Sequence, residues 1–185
     1  IALTGDFVDG TPQKRGYDLE PLKNLKAKYG VFGIEGNHEH YVDYDGWMRF
    51  MPTLGMTWLK NASASVQING KTVSVIGLTD PMAQRYGREL PDIEKASANV
   101  PAQTSLRLLL SHQPKYAALY KGKADLMLSG HTHSYARAVS SNPEVGAGTI
   151  YLTHQDARTY NKKGDFFYIT RDKDSDVLKV ENYGA

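Results

Sequence analysis

Four short apolar runs in this chain end the same way, in a tight turn that carries a side chain able to bind a metal ion. The turns are Gly5-Asp6-Phe7-Val8-Asp9, Gly36-Asn37-His38-Glu39, Ser111-His112-Gln113-Pro114 and Gly130-His131-Thr132-His133. Strand ends in an open sheet lie side by side, so a fold that gathers these runs into sheets also gathers the turns. Three of the four open on glycine, which lets the backbone bend sharply enough to bring strand-end side chains together.

The runs between the turns predict an α/β fold. Residues 1–4 read as the end of a buried strand stopped by Gly5, followed by a polar loop over 9–16. Asp18 can then cap a helix with Pro21 in its first turn, Leu19, Leu22 and Leu25 on one face and Gly30 past its end. Residues 31–34 form the next strand. Strand, helix and strand in this span make a βαβ unit, so the two strands should be parallel and adjacent.

Further on, the pattern predicts a second helix over 44–54, disturbed at Pro52, and a short strand over 57–60. Residues 66–68 and 72–76 form a hairpin across Asn69-Gly70. A polar loop (79–92), a short helix near 92–98, an apolar strand (106–110), a helix (114–120) and a buried strand (126–128) follow. After Gly148 the pattern is β only, over 149–153, 166–170 and 177–180. Together these predict two sheets of mixed strands packed face to face with helices outside. Residues 1–185 read as one domain, because the linker-like stretch 142–148 is too short to divide it.

Composition removes several classes of chemistry. There is no cysteine, which excludes disulfides, iron–sulfur clusters, cysteine-bound zinc and a thiol nucleophile. Any metal must then be held by His, Asp, Asn or Glu, a donor set suited to Mn, Fe or Zn. A net charge of +2 is too small to point to nucleic acid, and no run is long and apolar enough to cross a bilayer. There is no G-x-S-x-G elbow to suggest a serine hydrolase.

Taken singly, each turn has a plain alternative: Gly5-Asp6 and Gly36-Asn37 are common turn pairs, and His112 could cap a helix. Their conjunction favours chemistry, since four strand-end sites use four of the six histidines. Such a set suits phosphate ester hydrolysis. Two metal ions roughly 3.5–4 Å apart offset the ester's negative charge and lower the pKa of a bound water. That scheme needs a bridging carboxylate, neutral imidazoles and a proton donor for the leaving group.

The four blocks, in this order from Gly5 to His133, resemble the calcineurin-like metallophosphoesterases, and most closely their small bacterial phosphodiesterase-like branch. The resemblance implies a metallophosphoesterase-like two-sheet sandwich and a dinuclear metal centre acting on a phosphate mono- or diester through a metal-bound hydroxide. It implies that Asp6 bridges two divalent ions, that Asn37, His112 and His131 complete one site, and that His133 serves the other. His38 would protonate the leaving oxygen, with Asp9 hydrogen-bonded behind it to fix the tautomer. Glu39 is expected to make a structural hydrogen bond rather than to bind metal. The implied partner is a phosphorylated small molecule, lipid or polymer.

Some features depart from the family pattern. The family opens on a strand carrying Asp-x-His, whereas this chain starts at Ile1, inside a strand and without an initiator Met, and so reads as a fragment or processed product. Without that pair the first site would keep only Asp6 and His133, and an exposed apolar edge would flank residues 1–4. One well-formed metal site and a catalytically impaired, metallophosphoesterase-like binding module is therefore the alternative expectation. His154 and Asp156 read as loop residues rather than as replacements. Ser134-Tyr135-Ala136-Arg137 resembles the purple acid phosphatase branch, yet Asp9 stands where that branch has a metal-binding tyrosine, which argues against a ferric–tyrosinate centre. Arg85 and Arg88, with Tyr41 and Tyr86, could meet the substrate phosphate, or form an exposed basic loop.

Overall fold

The computed structural model describes residues 1–120 and 122–132, and beyond them the backbone of four strands. The chain opens with a parallel sheet of β1 (Ala2–Leu3), β2 (Phe32–Gly33) and β3 (Thr57–Trp58), in that order. β1 and β2 are parallel neighbours, as the βαβ pattern predicts, with Phe32 N donating to Ile1 O at 2.9 Å and Ile34 N to Leu3 O at 3.1 Å.

The helix between them is displaced from its expected place. α1 (Pro12–Leu19) occupies most of the segment expected to be a loop, with Thr11 extended before it and Pro12 in its first turn. It cannot run on as α-helix through Pro21, which lacks an N–H and whose ring would collide with the Tyr17 carbonyl. The chain tightens there into a 3₁₀ turn, Glu20–Asn24. Two prolines are each compatible with a helix start, and the earlier one is used.

α2 (Tyr44–Phe50) passes into a 3₁₀ turn, Met51–Leu54, at the Pro52 disturbance and ends on Gly55, whose φ is 81°. Asp43 caps α2 by accepting from Gly46 N at 3.1 Å. α3 (Ile93–Ser97) is capped in the same way by Asp92.

A second, six-stranded sheet is mixed. The hairpin of β4 (Ala62–Ile68) and β5 (Lys71–Gly77) turns through Asn69 and Gly70, both at positive φ, which matches the right-handed twist of the strands. Parallel to β5 follow β6 (Leu106–Leu110), β7 (Leu126–Ser129) and β9 (Ile150–Thr153), and β8 (Ala136–Val139) pairs antiparallel with β9. β8 has no counterpart among the expected strands, and residues 114–120 form a 3₁₀ turn rather than an α-helix. β10 (Phe166–Arg171) and β11 (Leu178–Tyr183) make a separate antiparallel pair.

The sheets pack face to face, and side-chain alternation sorts the apolar residues into three layers. Between the sheets lie Phe32, Ile34, Leu59, Val75 and Leu110. On the far side of the small sheet, Leu19 of α1, Trp47 of α2, Met51 and Leu54 of the turn after it, and Val8 pack together. On the far side of the large sheet, Ile76, Leu109 and Met127 stand in register across β5, β6 and β7 under Ala96 and Tyr120. Flanking helices around two sheets are thus the architecture expected from the sequence. The carboxyl ends of β1, β2, β6 and β7 lead directly into the four turns.

Candidate metal centre

Two of the turns are joined through one buried carboxylate. Glu39 is fully buried and accepts from Asp6 N at 3.0 Å, Phe7 N at 2.7 Å and Gly36 N at 2.6 Å. The two loops approach so closely that only glycine suits either side of the contact. A Cβ on Gly5 would lie 2.5 Å from Gly36 N, and one on Gly36 would lie 2.3 Å from Asp6 Oδ1. Asp6 itself sits at φ 58°, a conformation that aspartate tolerates better than bulkier residues. The remaining two turns are tied by Gly130 N, which donates to His112 O at 3.0 Å.

This scaffold directs four ligand-type atoms toward one another. His112 Nε2 lies 3.0 Å from Asp6 Oδ2 and 3.0 Å from Asn37 Oδ1, and His131 Nδ1 lies 2.8 Å from Asn37 Oδ1. One ligand atom each from Asp6, His112 and His131 all fall within 4.8 Å of one another. His112 Nδ1 stands 2.6 Å from the Thr4 carbonyl, which can only accept, so the neutral ring carries its proton there and turns a lone pair inward from Nε2. Lone pairs from a carboxylate, an amide oxygen and an imidazole that face one another repel unless a cation sits among them. The donor set therefore fits a divalent ion.

Charge coupling runs through the same atoms. Burial pushes the Asp6 carboxyl up, but His112 and the His38 amide outweigh it and hold the group below its ordinary value. Burial pulls His112 down, yet the Asp6 carboxylate and the Thr4 carbonyl raise it overall. His131 is lowered by burial and by the neighbouring His112. Burial raises the Glu39 carboxyl, against the pull of the three amides that favour its anion.

His38 stands beside this group rather than in it. Its Nδ1 lies 2.5 Å from Asp9 Oδ1, its backbone N donates to Asp6 Oδ1 at 2.9 Å, and its Nε2 remains 3.9 Å from Asp6 Oδ2. His38 and Asp9 are thus paired, and Glu39 is engaged by backbone amides.

Other expected residues are placed elsewhere. Arg85 is exposed. Arg88 is half-buried behind the Gly36-to-Glu39 turn, where Nη1 donates to His40 O at 3.0 Å and the guanidinium lies over the Tyr44 and Tyr86 rings at 4.3 and 4.7 Å. It is neither the exposed basic residue of one expectation nor drawn into the metal group. His133, His154 and Asp156 lie outside the described residues, as do Ser134 and Tyr135.

Three features escape sequence reading. The Thr4 carbonyl orients His112, and a backbone atom leaves no side-chain signal. Glu35 and His40, both fully buried, pair at 3.0 Å behind the turn, with Tyr44 OH donating to Glu35 at 2.8 Å. Tyr41 OH accepts from Asn37 Nδ2 at 2.7 Å, a contact that the four-residue spacing could have flagged.

A family model for calcineurin-like phosphoesterases matches residues 1–135. The chain belongs to that family. An uncharacterized metallophosphoesterase of Helicobacter pylori is 36% identical over 136 residues, covering 72% of this chain and 35% of its own length. A transmembrane protein with a metallophosphoesterase domain from Danio rerio is 31% identical over 143 residues, covering 72% of this chain and 32% of its own. The chain thus spans about a third of the length of these curated relatives. Among solved structures, a 5'-nucleotidase precursor from Thermus thermophilus has the same fold, with a TM-score of 0.64 at 20% identity over 98% of this chain and 44% of that one. No helix among the described residues is long and apolar enough to cross a membrane.

Proposed function

We propose that this chain hydrolyses a phosphate mono- or diester with the help of divalent metal, two ions of Mn, Fe or Zn in the full scheme. The observation that supports this most directly is the convergence of Asp6 Oδ2, Asn37 Oδ1, His112 Nε2 and His131 Nδ1. These four residues would hold the ion between them, with Asp6 shared with a second ion and His133 serving it. When bound, the metal supplies positive charge against the phosphoryl oxygens and lowers the pKa of a nearby water.

The chain's own residues account for the proton. Asp9 accepts from His38 Nδ1, which fixes the ring and leaves Nε2 as the atom that would release a proton to the leaving oxygen. The His38 side chain keeps 28% of its surface exposed. Glu39 takes no part in the chemistry; it holds the Asp6 and Gly36 amides in place.

A phosphorylated small molecule, lipid or polymer is the proposed substrate class. The test is hydrolysis of bis(p-nitrophenyl) phosphate and p-nitrophenyl phosphate with Mn²⁺, with and without chelator, alongside metal stoichiometry. Chelator-sensitive turnover is expected, and Asp6→Asn or His131→Ala should lose metal and activity together. Full metal binding and hydrolysis in both variants would overturn the reading. Tight metal and phosphate binding without turnover would instead assign a binding module.

A further inference from the structure

Donor and acceptor accounting at Asn37 assigns a role to its neighbour Tyr41. The amide of Asn37 is almost fully buried, its Oδ1 faces His112 and His131, and its Nδ2 donates to the Tyr41 hydroxyl at 2.7 Å. An amide nitrogen has no lone pair to offer a metal, so an Asn37 that binds through Oδ1 must turn its NH₂ toward Tyr41. The phenol oxygen is then an acceptor, and its own proton is left over. In the reverse arrangement Tyr41 would donate to Oδ1 and the NH₂ would face the two histidines, with no oxygen at the metal group.

Among the described residues, no protein atom takes that leftover phenolic proton. Tyr41 is 43% exposed, and its ring leans on His38 with centroids 5.1 Å apart and planes at 45°. The hydroxyl therefore sits against the amide that faces His112 and His131, on a residue whose ring packs on the one proposed to protonate the leaving group. Arg88, the nearby cation, is engaged by His40 and two tyrosine rings.

We propose that Tyr41 is a substrate-binding residue whose phenolic O–H donates to a phosphoryl oxygen. The proposal rests on the metal-dependent reading above, because Asn37 ligation is what sets the polarity of the Asn37–Tyr41 bond. It also explains why the position carries a hydroxyl although the ring alone would cover His38. Polarisation of the Asn37 amide by a bound cation would strengthen the phenol as a donor, since hydrogen bonds in a chain reinforce one another.

Tyr41→Phe removes the hydroxyl and keeps the ring. Calorimetry would measure the dissociation constant for inorganic phosphate on the Mn²⁺-loaded protein, with the Mn²⁺ titration and the melting temperature recorded for both proteins. The expected result is phosphate binding weakened about tenfold with the Mn²⁺ stoichiometry of the wild type, and a lowered melting temperature because Asn37 Nδ2 loses its acceptor. Equal phosphate affinity in wild type and Tyr41→Phe would overturn the contact, whatever happens to metal affinity. A wild type that binds no Mn²⁺ would overturn the metal-dependent reading, and this proposal with it.

Discussion

The Glu39 carboxylate accepts a hydrogen bond from the backbone amide of Asp6 at 3.0 Å across 33 positions of sequence. A residue that does not face the metal group thereby builds the turn that does. Its two oxygens serve three backbone amides in a fully buried place, so each amide depends on that one side chain for its partner.

Glu39→Gln should therefore cost far more than its small change of shape suggests. The new NH₂ would face at least one backbone N–H, leaving two donors opposed and one buried amide unsatisfied. Urea unfolding is expected to show a loss of about 3 kcal/mol, accompanied by weaker Mn²⁺ binding as Asp6 moves. A variant with wild-type midpoint and metal affinity would show that the three bonds are dispensable.

Gly36→Ala tests the other half of the same contact. The added Cβ would lie 2.3 Å from Asp6 Oδ1 and 2.6 Å from Asp6 N, and neither atom can withdraw without breaking its bond to His38 N or to Glu39. The expected penalty is about 2 kcal/mol, with metal affinity falling because the carboxylate is pushed from its place. Thermal denaturation and Mn²⁺ titration of the same preparation would check both; unchanged metal affinity would mean that the two loops can part.

Much of this site is legible in the sequence, because its residues follow apolar strands and strand ends converge. Asp6, Asn37, His112 and His131 converge from such turns, and Asp9 is paired with His38. What the sequence hides has physical causes. Pro12 and Pro21 each permit a helix start, and propensity does not choose between them, so the position of α1 is settled only by packing. Arg88 looks like a free cation in a polar loop, but folding places it over the Tyr44 and Tyr86 rings and against the His40 carbonyl. The Thr4 carbonyl that orients His112 is a backbone atom, common to every residue.

The Asp6–His112 pair should leave a pH signature in the metal-free protein. His112 has its pKa raised in the folded chain, so its contribution to stability is fully present below its ordinary value of 6.5 and is lost as pH rises through the folded value. Asp6 is depressed, so its contribution is present above its ordinary 3.8 and is lost as pH falls through its folded value. In chelator, the melting temperature of the wild type should exceed that of His112→Gln between these two ordinary values, and the gap should shrink as pH rises above 6.5. A gap that widens toward alkaline pH would contradict the pairing. Added Mn²⁺ should reverse the trend, because the metal competes with protons for the same atoms.

His38 offers the sharpest separation between binding and chemistry. It lies outside the converging ligand atoms, so His38→Gln should keep the wild-type Mn²⁺ stoichiometry. If its Nε2 protonates the leaving oxygen, the cost must depend on how badly that oxygen needs a proton. An alkyl phosphate ester releases a basic alkoxide, and its kcat is expected to fall about a hundredfold or more. A nitrophenyl ester releases a stable phenolate and should lose less than about tenfold. Asp9→Asn should show the same ordering with smaller losses, since the ring remains but its orientation is less well held. Equal losses on both esters would move His38 from proton donor to a role in binding the phosphoryl group.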